Sequence, residues 1–445
     1  RYGIEAKLQN NILMLDNDNG IYAEDATTGG LLTQIGVGVT TKQVATNFLT
    51  VITQSSAEAA IAIGSVSTLT AGNLYSISSL SDLNKLASLV NSGQASNCTF
   101  ILTGDIDMAN SPGYIPIGTD EHKFMGTFYG NGHVISNVSI SQSGTSGVGI
   151  FGVTGNTARI LDLGVENATV SGKDYTGVIV GNSAGTITNC YVKGNVNVNG
   201  NSYVGAITGQ ATNTIASSYT SGNININGSG YVGGLAGYIN SSVRNSFVQD
   251  VNVTSSSGKA GGFTGVFGSA ASYDKISIKG TINVSGSNCI GGYVGSSDIS
   301  LSNLNANVTG TVKATSGYVG GIAGSISSSR TISNCNATMS ITGSGGNYVG
   351  GIVGYANSAT ISQSSYNGTI TVTGSSNVGG ITSGYAETIS NCTTSGTIKA
   401  SGNVRNIGGI IGYLSGSQIT NCNSSMNIIS SDYGQYIGGL IGNIS

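Results

Sequence analysis

The chain has 445 residues, of which 71 are Gly and 2 are Pro, and only 8% are charged, against about 25% charge in an average soluble domain. A net charge of −3 offers no basic stripe to displace counterions from phosphates, which argues against a nucleic-acid partner. A mean hydropathy of +0.13 with regularly placed Ile and Val argues against disorder, and no run of about 18 apolar residues is present to span a membrane.

The chain opens at Arg1 with no basic-apolar-small leader, so any secretion signal is expected to be already removed. Residues 1–73 carry no repeat. Apolar residues at Val44, Phe48, Ile52, Ala59 and Ile63 fit one helical face and predict a helix over 41–63, in an N-terminal segment suited to assembly or linkage. Asp16-Asn-Asp-Asn-Gly20 resembles the start of a calcium loop, but its glycine arrives one residue early, which favours an ordinary Asn/Asp turn. Over 74–146 we expect a capping helix and the first rungs of a repeat. Leu80–Asn91 has Ser79 as cap and Gly93 as stop. Its Leu83, Leu86, Leu89 and Val90 are placed to cover an open apolar end.

From 147 to 445 one pattern dominates, Tyr-Val-Gly-Gly-(Ile/Leu)-x-Gly, as in Tyr231–Gly237, Tyr318–Gly324, Tyr348–Gly354 and, with Ile for Val, Tyr436–Gly442. The first glycine of each copy is Gly177, Gly205, Gly233, Gly261, Gly291, Gly320, Gly350, Gly379, Gly408 or Gly438, in steps of 28 to 30. Within a period three extended segments recur, exemplified by Tyr231–Tyr238, Val243–Val248 and Val251–Thr254. Strands without crossover helices, at about 29 residues per three-strand rung, predict an all-β, right-handed parallel β-helix (β-solenoid), preceded by the small helix-containing segment. A propeller blade needs about 40 residues, more than this period supplies.

Two apolar columns flank the anchor glycine, represented by Val232 before it and Leu235 two after it. They lie three apart, so a flat strand cannot turn both inward, and the glycines between them are expected to form a corner. The ten glycines are therefore taken as structural. The column that opens the motif varies among Tyr, Lys, Cys and Asn and is expected at an exposed rim. The C-terminus carries no cap, which suggests a fragment or a covering partner.

Gly234-Leu-Ala-Gly237 and Gly439-Leu-Ile-Gly442 resemble the core of the bacterial GLUG-motif repeats. The preceding helix and the stretches Leu102–Asp107, Ile115–Gly118 and Phe124–Asn137 are similar to what commonly precedes such repeats, so the resemblance covers roughly 74–445. It implies large secreted or surface-anchored bacterial proteins whose repeats act as stalks or adhesive segments. Some relatives cleave immunoglobulin A, with their catalytic part outside the repeats.

Residues able to do chemistry are few. Cys190, Cys335, Cys392 and Cys422 share an Ile-(Ser/Thr)-Asn-Cys context that other repeats fill with Ser, which favours reduced, buried thiols. A disulfide between Cys392 and Cys422 on adjacent rungs is the alternative. His122 and His133 lie outside any HExxH pattern and read as loop and turn residues. A polysaccharide-cleaving site would need paired carboxylates. The densest acidic zone is Asp105, Asp107, Asp120, Glu121, Asp162 and Glu166, where Asp105 and Asp107 alternate at strand spacing. No catalytic, cofactor-binding or metal-binding set emerges. The expected function is a non-enzymatic extracellular or cell-surface structural and adhesive module. Its expected partners are a surface glycan, a protein ligand or another copy. A surface-filament subunit assembling through 1–73 and a β-helix polysaccharide enzyme are the alternatives.

Overall fold

The computed structural model describes residues 60–445, apart from 95–96, 110, 112, 346–347, 375–376 and 432–435, together with the backbone of four strands within 6–36. Those strands, Ala6–Leu8, Asn11–Asp16, Gly20–Asp25 and Leu31–Gly36, form an antiparallel meander. Asp16 pairs with Gly20, so the Asn/Asp-rich stretch joins two hairpin strands. The expected helix at 41–63 lies outside the described residues up to 59. Its last residues, Ile61–Ile63, form a short strand and the first residue of a 3-10 turn. Ile61–Ala62 pairs in parallel with Leu74–Ile77, so the solenoid sheet begins ahead of Leu74.

The remainder is a parallel β-solenoid. In the rung that begins at Tyr231 the strands are Tyr231–Gly233, Ala236–Ile239, Ser242–Arg244 and Phe247–Ser255. We call their stacks the motif, second, short and long stacks. Equivalent residues pair rung to rung, as in Tyr231↔Lys259, Val232↔Ala260 and Gly233↔Gly261. The second stack runs unbroken through eleven strands, from Phe151–Thr154 to Ile441–Ile444.

Two features divide the three expected segments into four strands. Tyr231–Tyr238 bends at Gly234-Leu235, which lets Val232 and Leu235 both be fully buried, as the spacing required. Val243–Val248 is interrupted at Asn245, whose φ of 50° is left-handed. Asn189, Asn303, Asn334, Asn391 and Asn421 repeat that conformation. Asn enters this region more readily than other side chains because its short amide can bond locally. Asn334 Nδ2 donates to Asn303 Oδ1 at 2.7 Å, tying one corner to the rung before it.

The next column explains the Cys/Ser alternation. Ser218 Oγ donates to the Ala216 carbonyl at 2.9 Å and accepts from the Cys190 amide at 3.1 Å. Cys190 Sγ makes the corresponding contact to the Thr188 carbonyl at 3.3 Å. The site takes a small side chain able to donate to the carbonyl two residues back.

One apolar core extends from Ile63 to Ile411. Over the first rungs Leu83, Leu86, Leu89 and Val90 of the helix Leu80–Asn91 are buried in it. The Ser79 hydroxyl accepts from the Asp82 amide at 3.2 Å, and Gly93 ends the helix at φ +89°.

Candidate binding face

Most of the acidic zone is committed to local structure, while Asp120 and Glu121 are exposed. Asp105 accepts from the Val134 amide at 3.0 Å and contacts His133 Nδ1 at 3.1 Å. Asp107 accepts from Asn137 Nδ2 at 3.0 Å and the Ala109 amide at 2.9 Å. These bonds hold both carboxyls below the usual carboxylate value, led by Val134 for Asp105 and Asn137 for Asp107, so both stay ionised. Glu166 pairs with Lys193 at 2.8 Å.

Asp162 differs. It occupies the left-handed corner column, and burial pushes its pKa up to about 6 despite the bond from Asn189 Nδ2 at 2.7 Å. His122 Nδ1 contacts the Asn91 carbonyl at 2.8 Å, and Asn91 also binds the Gly118 amide, fastening the helix end to a loop.

All six cysteines are free, and five are buried. Burial pushes the Cys190 and Cys392 thiols up to about 12 and Cys335 to about 11, leaving them protonated. Among the described residues no group of three or more His, Cys, Asp or Glu is arranged to hold a metal ion.

The ten anchor glycines end motif-stack strands or, at Gly177, occupy the equivalent position. An ideal Cβ on Gly320 would overlap the Ala323 carbonyl oxygen, and the same collision three residues ahead recurs at all ten. None of the ten has a positive φ. Close backbone approach, rather than a left-handed conformation, is what excludes a side chain there.

Tyrosines fill the outward positions around this corner. In a first cluster, Tyr175 and Tyr203 stack at 4.8 Å, Tyr203 meets Tyr231 at 5.2 Å, and Tyr238 lies 6.0 Å from Tyr203. Lys259 covers Tyr231 at 5.5 Å. In a second cluster, Tyr318 and Tyr355 stack at 4.8 Å, with Tyr348 at 5.5 Å from Tyr318. Tyr355, Tyr385 and Tyr413 continue as a row at 5.3 and 5.9 Å. All are half-buried.

The opening column is not a uniform rim. Cys289, Asn377 and Asn406 are buried, and Asn406 Nδ2 donates to Asn377 Oδ1 at 2.6 Å. Short side chains here sink below the surface that the tyrosines occupy. A separate ladder on the long stack, Tyr191–Tyr219–Phe247 at 5.3 and 4.7 Å, is already covered by Lys193 and Lys279.

A match to the family described as the GLUG motif covers residues 403–429, the turn that brings in the anchor Gly408. The chain is a β-solenoid that carries a GLUG motif. Over 138 residues the chain is 38% identical to halomucin of Haloquadratum walsbyi, a match covering 29% of this chain and 2% of that protein. It is 32% identical over 102 residues to a protein of Evansella cellulosilytica named as a Gly-rich membrane protein, covering 21% of this chain and 12% of that one. The chain thus spans a small fraction of both curated relatives. A solved structure from Bacteroides ovatus, provisionally described as an immunoglobulin A1 protease, aligns over 80% of this chain and 85% of that one, at 21% identity and a TM-score of 0.33. At that score the likeness bears on neither fold nor activity. No helix among the described residues is long and apolar enough to cross a membrane.

Proposed function

We propose that this chain is a non-enzymatic structural and adhesive module exposed at a cell surface or outside the cell. The observation that carries this reading is a division of labour between columns. Inward positions are apolar and the corner glycines permit close packing, while outward positions are mostly hydroxyl, amide and phenol groups with a few charges such as Lys193, Lys259 and Lys279 among them. The names of the two relatives, a mucin-like name and a membrane protein, agree with a surface setting. In this reading 74–146 caps the solenoid and carries its entry rungs, 147–445 forms the rod, and 1–73, apart from the solenoid strand at Ile61–Ala62, serves assembly or linkage. The ten glycines are architectural. Asp105 and Asp107 hold backbone and side-chain donors, which supports a structural role for the acidic zone over a catalytic one.

Protease treatment of intact cells of the source organism tests the location. Peptides from 147–445 should be released before the cells lyse. Recovery of those peptides only after lysis would reject surface exposure.

A further inference from the structure

The second tyrosine cluster contains an irregularity that the fold does not require. Tyr355 and Tyr413 occupy the same column of the second stack, but the rung between them places Gly384 there, paired with Tyr413. The tyrosine of that rung comes one residue late, at Tyr385. Its backbone is left-handed, with φ 64°, an uncommon conformation for a bulky aromatic residue. That backbone returns its ring to the row, 5.3 Å from Tyr355 and 5.9 Å from Tyr413. Such a conformation is strained and persists where the surroundings impose it. The rung before it also turns left-handed, at Asn357 and Ser358. Continuity of the ring row is thus kept against both register and backbone preference.

Beside the row lies an open cleft of about 430 Å³, lined by Ser358, Tyr385, Ala386, Glu387, Ser415 and Gly416. Glu387 is exposed, and its carboxylate takes no hydrogen bond or ion pair from the described residues. The lining contains a carboxylate and hydroxyls but no Lys or Arg. A phosphate, a sulfated polymer or single-stranded nucleic acid would meet that carboxylate with no cation to balance it, and stacked bases need a basic groove beside the rings.

We propose that Tyr355, Tyr385 and Tyr413, with the cleft at Glu387, form a binding site for a neutral, hydroxyl-rich oligosaccharide. The apolar C–H face of a pyranose lies on a phenol ring, while its rim hydroxyls donate to the Glu387 carboxylate and exchange hydrogen bonds with Ser358 and Ser415. Successive rings stand about one rung apart, so consecutive sugars of an extended chain meet consecutive tyrosines. Burial, with neighbouring phenols, raises Tyr385 above the ordinary phenol value, so its ring stays neutral.

The first cluster provides an internal control. Its tyrosines follow the register, apart from a left-handed Tyr175, and Lys259 already covers Tyr231.

This site rests on the adhesive reading of the chain, but the two fail separately. A chain that binds sugar without being exposed on cells keeps the site and loses the location, whereas an exposed chain that binds none does the reverse. The test is calorimetric titration of the full chain with cellohexaose and mannohexaose, with a hexamer of galacturonic acid as the anionic contrast. We expect saturable binding of at least one neutral hexasaccharide and none of the anionic one. Tyr385→Asn keeps a residue that tolerates the left-handed backbone while removing the ring, and together with Tyr355→Ala it should weaken binding at least tenfold. Glu387→Gln should weaken it severalfold, and Tyr203→Ala should leave it unchanged. Circular dichroism of each variant establishes that the solenoid is intact. If Tyr385→Asn unfolds the chain, Tyr355→Ala and Glu387→Gln carry the test. Absence of binding to both neutral probes at millimolar concentration overturns the proposal, as does equal binding by wild type, Tyr355→Ala and Glu387→Gln. Concentration-dependent self-association that Tyr355→Ala abolishes, without sugar binding, also overturns it in favour of a second copy as occupant.

Discussion

The first rungs and the repeat rungs share one core but fill it by different means. Between Tyr75 and Phe151 the interior is a set of unlike rings that fit one another. Phe124 lies 5.8 Å from Phe100 and 5.0 Å from Phe151, and Phe128 meets Phe151 edge-on at 5.1 Å. Beyond Tyr175 the interior is mostly built from columns of Val and Ile that repeat from rung to rung, with the corner glycine setting how closely the chain turns. Carboxylates are densest there too, where Asp105, Asp107 and Asp162 accept hydrogen bonds and Glu166 pairs with Lys193 of the next rung. Where no neighbour repeats the pattern, shape and charge hold the rungs. Where neighbours do repeat it, close backbone approach and column matching suffice.

That difference is open to substitution. Phe124→Ala should have the largest effect, a loss of about 3–5 kcal/mol measured by denaturant unfolding, because three interlocked rings cannot collapse around the cavity. A loss near that of an exposed residue would show that the ring cluster does not hold the first rungs.

Asp162→Asn should act in the opposite direction. The folded pKa of about 6 lies above the ordinary aspartate value of 3.8, so the folded state holds its proton more tightly. Stability from this group is present below about pH 4 and is lost as pH rises through about 6. Asn supplies the neutral side chain that Asn189 and Asn245 supply in the same column. The variant should gain about 2–3 kcal/mol at pH 7.5, little at pH 3.5, and lose the slope between them. Parallel pH profiles for variant and wild type would contradict the buried-carboxyl reading.

Gly320→Ala probes the repeat side of the comparison. Its Cβ meets rigid backbone at the Ala323 carbonyl, so a loss of about 1–3 kcal/mol is expected, seen as a lower melting temperature. An unchanged melting temperature would mean that the corner can open. Thr176→Val should give the smallest change, a gain of about 1 kcal/mol. Its hydroxyl is buried without a partner among the described residues, in a column where Val204 and Val232 occupy the next rungs. A destabilised Thr176→Val would point to a bound water at that hydroxyl.

Much of the solenoid was legible because its signals repeat. The glycine period located the rungs, and the three-residue offset between Val232 and Leu235 required a corner that the structure places at Gly234-Leu235. The helix cap at Ser79 and its stop at Gly93 were equally local. The break at Asn245 was not legible, because Asn permits a left-handed backbone without demanding one, and the flanking β-formers read as one strand. The N-terminal antiparallel sheet is made of local hairpins but was not legible, because Ile12-Leu-Met-Leu15 is a continuous apolar run without the alternation that marks a strand, while apolar spacing further along suggested a helix. The tyrosine row was legible only in part. Counting the period puts Gly384 in the column, and only the backbone at Tyr385 shows that the ring returns to it.

Unlike first rungs and regular repeat rungs thus form one continuous body. Hydrogen–deuterium exchange resolved by rung, in mild denaturant, tests it most directly. Protection should continue without a step from Phe128 through Tyr191 and on to Ile398, following the continuous long stack and, as far as Asp274, the short stack. Exchange of residues 61–171 as a separate cooperative unit, with 172–400 still protected, would contradict it.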